Sequence, residues 1–187
     1  ISYTTKTGKG FQTTVARSGH TTSTKGFNLA LTSLGRGRTG DPSNKLKNYD
    51  HNSAHVLANW FGGSGYRRSL NLVTTSDHFN KIVMGEREKQ IVEWVKANKI
   101  VLFDLQVDVD WGQVSEEAVI VKIIDQIKGL YGLTGATLIK TERSLANRIA
   151  RFKPLLKAVE DVVYRAGGQD TGGVRKNMRP LSTGADQ

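Results

Sequence analysis

The stretch His55-Val56-Leu57-Ala58-Asn59-Trp60-Phe61-Gly62-Gly63-Ser64-Gly65, followed by Asn71-Leu72-Val73, Phe79-Asn80 and Glu88, decides how this chain of 187 residues is read. Residues 51–80 are dense in His, Asn, Gly and Ser, the composition of loops that carry function on a scaffold. Beyond them the pattern becomes regular. Ile82, Val83, Ile91, Trp94 and Val95 supply apolar positions and Glu88, Lys89, Glu93 and Lys96 polar ones, which predicts a helix over 80–99. From Ile100 to Asp110 the period drops to two. Val101, Phe103, Leu105, Val107 and Val109 alternate with mostly polar partners, a half-buried strand with Asp104, Asp108 and Asp110 on its solvent face.

Outward from this centre the signals are simpler. Ser115 caps a predicted helix with Glu116 and Glu117 in its first turn, carried on by Val119, Ile120, Ile123, Ile124, Ile127 and Leu130 and ended by Gly129 and Gly132. A last helical region is predicted from about Thr141 to Tyr164, kinked or divided at Pro154. From Ala166 onward there is little to bury, and a poorly ordered tail is expected. Residues 1–50, rich in Thr, Ser and Gly, read as loops and short strands around Gly35-Arg36-Gly37-Arg38. The expected class is α+β. Residues 1–112 would hold the basic N-terminal region and the core, 113–165 a helical addition, and 166–187 a flexible tail.

Charge is unevenly placed. The whole chain carries +10, and residues 1–50 hold eight Lys/Arg against Asp41 and Asp50, a net of +6. A surplus of this kind favours a polyanionic partner, nucleic acid or an anionic surface. The chain has no cysteine, which excludes a disulfide scaffold, a cysteine nucleophile and cysteine-ligated metal sites. No apolar run is long enough for a membrane-spanning helix. The start at Ile1 and the absence of a signal-peptide core suggest a processed or excised piece of a longer protein.

Three readings compete for Asp50-His51-Asn52-Ser53-Ala54-His55. His51 and His55 stand four apart like a zinc pair, but Asn52 occupies the place of the required Glu, and a third ligand would have to be His20 or His78. The histidines are otherwise hydrogen-bonding groups of a polar loop, or His55 is a single catalytic residue that opens a longer pattern. Gly62-Gly63-Ser64-Gly65 lacks the Lys-Ser/Thr of a phosphate-cradling loop and reads as a turn. Trp60 fits core packing better than base stacking.

The longer pattern resembles the DNA/RNA non-specific endonuclease family, whose active site is the ββα-metal, or His-Me, finger. That family places an apolar stretch and often a Gly-Gly turn after its His, then an Asn-Leu-Val strand, a second Asn nine residues on, and a Glu eight beyond. Here Asn71 to Asn80 is nine and Asn80 to Glu88 is eight. The resemblance covers residues 50–110 and implies a ββα-metal nuclease core with a mixed or antiparallel sheet. It implies His55 as general base, suited by an imidazole pKa near neutrality. It implies Asn80 as ligand of Mg2+ or another divalent cation, which asks for few protein oxygens. Asn71 would orient the loop or a water, and Glu88 would accept hydrogen bonds from the ion's hydration shell. On a regular helix eight residues end about 80° from the start, six about 240°, so Glu88 rather than Glu86 shares the face of Asn80.

The departures matter. Asp-Arg-Gly before the family's His is Asn52-Ser53-Ala54 here, and Pro-Gln after Asn-Leu-Val is Thr74-Thr75. Phosphate binding must then fall to another cation. Arg36, Arg38, Arg67 and Arg68 are the candidates, because an Arg fork suits a phosphate. His78 lies within the pattern and is a further candidate for substrate contact. The expected function is a metal-dependent, sequence-nonspecific nuclease of DNA and/or RNA. The resemblance also suggests the toxic domain of a larger bacterial effector, secreted or delivered into a target-cell cytoplasm and paired with an acidic immunity protein. The alternatives are a nucleic-acid-binding module with a decayed site, and an interaction protein whose helical region docks a partner.

Overall fold

The computed structural model describes residues 2–4, 10–17, 20–31, 51–63, 70–113, 132, 134–152 and 157–186. The chain divides into two compact units, Ile1–Trp111 with Val159–Gln187, and Gly112–Ala158. Among the described residues the class is α+β, with an antiparallel sheet and few helices. Arg36, Arg38, Arg67 and Arg68, and the helix expected after Ser115, lie outside the described residues.

The larger unit is built on a seven-stranded sheet: β1 (Ser2–Thr4), β2 (Gly10–Val15), β3 (Thr21–Leu29), β6 (Ile100–Gln113), β7 (Lys157–Asp170) and β8 (Arg175–Asn177) run side by side, and β9 (Leu181–Ser182) pairs with β7. From Phe103 onward β6 follows the predicted alternation, burying Phe103, Leu105, Val107 and Val109; Val101, expected on the same face, is 57% exposed. Its outward carboxylates are tied to neighbouring strands: Ser23 donates to Asp108 at 2.7 Å and the Asn28 amide to Asp104 at 3.1 Å. Arg165 also pairs with Asp108. His20 is packed against Trp111, ring centroids 4.8 Å apart, rather than placed as a ligand.

Two expectations for the C-terminal third are corrected. The last helix, α2, spans Gly135–Phe152 in the smaller unit and ends two residues before Pro154. From Lys157 the chain is the long strand β7, not helix. Within β7, Val162, Tyr164 and Ala166 are buried while Arg165 is exposed. That is a period of two, and β-branched and aromatic residues suit it. The segment after Ala166 is not a loose tail. β8 and β9 pair with β7, and the Asp186 carboxylate accepts from the Ser76 amide at 2.7 Å and the Ser76 hydroxyl at 2.5 Å.

A second, two-stranded sheet pairs β4 (His51–His55) antiparallel with β5 (Leu72–Ser76), with His55 opposite Leu72. A helical run comes next: a π-helical segment, Phe79–Met84, passes directly into α1, Gly85–Ala97. Phe79, Met84, Ile91 and Val95 bury one side of this run in the core shared with Val56, Leu57, Phe61 and the apolar face of β6. The order is thus strand, strand, helix, with the opposite helix face left for other uses.

Candidate functional site

His55 is the last residue of β4, and the backbone leaving it is tightly held. Val56, Leu57 and Ala58 are buried. Asn71, wholly buried, grips Leu57 by both ends of its amide: Oδ1 accepts from the Leu57 N–H at 2.8 Å, and Nδ2 donates to the Leu57 carbonyl at 2.9 Å. The Asn71 carbonyl accepts from the Val56 N–H at 3.0 Å. Asn71 therefore holds the segment leaving His55.

The chain then turns sharply. A 3-10 turn, Asn59–Phe61, closes with the Ala58 carbonyl accepting from Phe61 and Gly63, each at 3.0 Å. Gly62 takes the left-handed conformation at φ 86°, which favours glycine. A Cβ on Gly63 would stand 1.8 Å from the Leu57 carbonyl oxygen, so only glycine fits there.

Beyond β5, Ser76 starts the helical run. Its hydroxyl accepts from the Phe79 N–H at 3.1 Å, satisfying a donor that the first turn leaves open. The π-helical segment then adjusts the register. A π residue turns roughly 80° where an α residue turns about 100°, so the mixed path from Asn80 to Glu88 closes about two whole turns. The π segment brings the two side chains closer in angle than a regular helix would.

The result is a cavity of about 430 Å³ lined by His55, Asn80 and Glu88 together. Ala58, Asn59 and Trp60 complete the wall on the turn side, and Lys81, Gly85, Lys89, Val92, Glu93 and Lys96 the wall on the helix side. Asn71 does not line it. Burial disfavours charge on both titratable residues expected to act here. It lowers the His55 imidazole from its usual value, and it pushes the Glu88 carboxyl up to about 8. Near neutral pH His55 is a free base and Glu88 is mostly the neutral acid. Lys81 makes an exposed ion pair with Asp77 at 2.7 Å. Comparison with protein-family models, curated proteins and solved structures returns no match. The nuclease resemblance thus rests on the residues and intervals themselves.

Three further placements differ from expectation. Trp60 is not a core residue: it is 60% exposed and stands on the cavity wall. His78 is exposed and does not line the cavity. The lysines of the helix face were missed as phosphate-binding candidates. Their signal was present in the spacing, because positions 81, 85, 89, 92 and 96 fall three or four apart on one stripe.

Proposed function

We propose that the larger unit is a metal-dependent, sequence-nonspecific nuclease that hydrolyses phosphodiester bonds of DNA and/or RNA. The observation that carries this reading is the convergence of His55, Asn80 and Glu88 on one cavity that three lysines also line. An amide oxygen and a carboxyl oxygen are hard donors, and magnesium binds through one or two such groups while keeping its own waters. Magnesium prefers donors of this kind, whereas zinc favours nitrogen and sulfur. Asn80 would hold the ion, with Glu88 beside it. A divalent ion bound there supplies charge stabilisation at the phosphate and the leaving oxygen.

The chain's own residues do the rest. His55, held neutral by desolvation, accepts the proton of the attacking water as its oxygen bonds to phosphorus and the ester bond to the leaving strand breaks, that oxygen taking its proton from solvent. The Asn71 clamp holds the backbone after His55 and so limits its reorientation. Lys89 and Lys96 draw the polyanion to the helix face and take the place of the missing Arg before His55. The toxic-effector reading, with an acidic protein as inhibitor, belongs to this proposal. A lysine-lined cavity in a chain of +10 is a docking face for a negatively charged protein, which complementary charge recruits quickly.

The test is cleavage of matched DNA and RNA by purified protein, with magnesium and with a chelator, beside His55→Ala. Removing a general base commonly costs about 10²–10⁴ in rate. Metal-dependent cleavage that disappears in the variant is expected. Undiminished turnover in the variant removes His55 from its role. Binding without any cleavage by the parent protein makes the chain a nucleic-acid-binding module.

A further inference from the structure

Trp60 is the exposed large aromatic of the cavity wall, and its exposure is not a product of slack chain. The turn that carries it is pinned at both ends. Phe61 is wholly buried and packs edge-on against Phe103, ring centroids 5.8 Å apart and planes at 90°. Ala58 is buried and its carbonyl closes the turn twice. In a 3-10 turn successive side chains are about 120° apart, so a Phe61 held inward leaves its predecessor directed elsewhere. The fold thus presents an indole to solvent, 60% exposed, on the same wall as the candidate general base. An indole offers a rigid, flat apolar face of the kind that stacks on another ring.

The chemistry around it narrows the ligand. Lys89 and Lys96 lie on the opposing helix wall, about 10 Å apart along the axis, a spacing that follows a phosphate backbone rather than a single anion. An aromatic face beside a row of cations is the combination that binds a nucleic-acid strand through stacked bases and neutralised phosphates. A base inside a duplex has both its faces covered by neighbouring pairs. To stack on Trp60 it must be unpaired already or be swung out of the helix. Resting on the nuclease reading, we infer that Trp60 is a stacking platform for an unpaired base next to the scissile phosphate, and that the protein acts on single-stranded or locally unpaired nucleic acid.

The experiment uses the full chain carrying His55→Ala, so that binding is read without cleavage. Single-stranded DNA and RNA oligonucleotides of one mixed sequence, and the corresponding DNA duplex, are titrated while tryptophan emission is followed. Trp94 and Trp111 are only partly exposed, and a Trp60→Phe variant removes the accessible component. Quenching by single strands is expected in the parent and lost from the emission of Trp60→Phe. Loss of a stacked base weakens binding roughly 5-fold to 100-fold, so Trp60→Ala should bind single strands that much less tightly, with Trp60→Phe close to the parent. Duplex binding should be weaker than single-strand binding and change less on substitution. Equal single-strand affinity of Trp60→Ala and its parent overturns the inference, as does a duplex bound as tightly as a single strand. Cleavage by the protein with an intact His55 separates the two ideas. If it cleaves with magnesium but Trp60→Ala binds and cleaves single strands equally well, the platform falls and the nuclease stands. If nothing is cleaved while binding depends on Trp60, the nuclease falls and the platform stands.

Discussion

Replacing Asn71 by Asp probes how the candidate general base is held, because it changes one atom of a buried clamp. In the native protein Nδ2 donates to the Leu57 carbonyl at 2.9 Å while Oδ1 accepts from the Leu57 N–H at 2.8 Å. In Asn71→Asp the second carboxyl oxygen meets the Leu57 carbonyl oxygen, acceptor against acceptor. Only a protonated carboxyl can donate there. Burial and this contact together raise the folded-state pKa above the unfolded value of about 3.9. A group raised in this way contributes stability that is fully present below the unfolded pKa and lost as pH rises through the folded one. A tenfold change in proton affinity is worth about 1.4 kcal/mol, so a folded-state pKa near 7, within the range of buried acids, costs about 4 kcal/mol once the pH exceeds it.

Asn71→Ala supplies the contrast. It leaves the Leu57 N–H and carbonyl without their partner, at about 1–3 kcal/mol each, and it cannot titrate. Urea unfolding of both variants and the parent, at several pH values from about 4 to about 8 (spanning the two pKa values), is read as the difference from the parent at each pH. The Ala variant should lose a constant amount. The Asp variant should approach the parent at the acid end and fall away toward neutrality, with cleavage falling in parallel as the His55 segment loosens. An Asp variant as stable as the parent throughout this range would refute the clamp.

Asn80→Ala should raise the magnesium concentration needed for half-maximal cleavage while leaving strand binding in the His55→Ala background intact; an unchanged metal titration makes Asn80 structural. Glu88→Gln should flatten the stability profile of the metal-free protein, since a carboxyl raised from 4.5 to about 8 contributes stability present below 4.5 and lost as pH rises through about 8. Identical pH slopes in urea for parent and Glu88→Gln would contradict the burial of that carboxyl. Asp161→Ala should loosen β9, because burial acts to raise its pKa but donors on Ser182, Gly184 and Thr183 outweigh it and hold the carboxylate below its usual value. The loss, about 1 kcal/mol above pH 3.8 and vanishing as pH falls through the lowered pKa, is read by amide exchange at Ser182 and Thr183.

The legible parts of the fold were those where one periodicity dominated. β6 could be read from Phe103 to Val109 because one face is buried and the other carries the three aspartates. The helix through Gly85–Ala97 was legible for the same reason. β7 was not, since Val159 and Val163 are also spaced as a helix would have them, and the choice is made by strands that arrive from elsewhere in the chain. The C-terminal strands were hidden because they are held by carboxylates and backbone pairing rather than by an apolar stripe, as the Asp186 bonds to Ser76 show. At the site, the intervals among Asn71, Asn80 and Glu88 were visible, but not that Asn71 faces Leu57 while the other two face a cavity. The close alignment of Asn80 with Glu88 depends on a π-helical segment whose residues, Phe79–Met84, carry no signal distinguishing it from an ordinary helix.

The same physical cause acts in opposite senses on the two titratable residues expected to act in the cavity. Low polarity favours the uncharged form of each, so His55 gives up its proton readily and Glu88 keeps its own. With both neutral near pH 7, the sign of the lining is set by Lys89 and Lys96 against Glu93, while Lys81 is engaged by Asp77. The cavity is then attractive to a phosphate before any cation enters it, and the carboxyl that would oppose the phosphate is silent. On the proposed nuclease reading, this division of labour would let Ser53 stand where an arginine is expected. A cation on β4, close in the chain to the imidazole, would favour its loss of a proton further and weaken it as a base. On the same reading, cations on the helix wall would draw the substrate into the cavity and leave the basicity of His55 to burial alone. The strand would supply the base, and the helix the groups that handle charge.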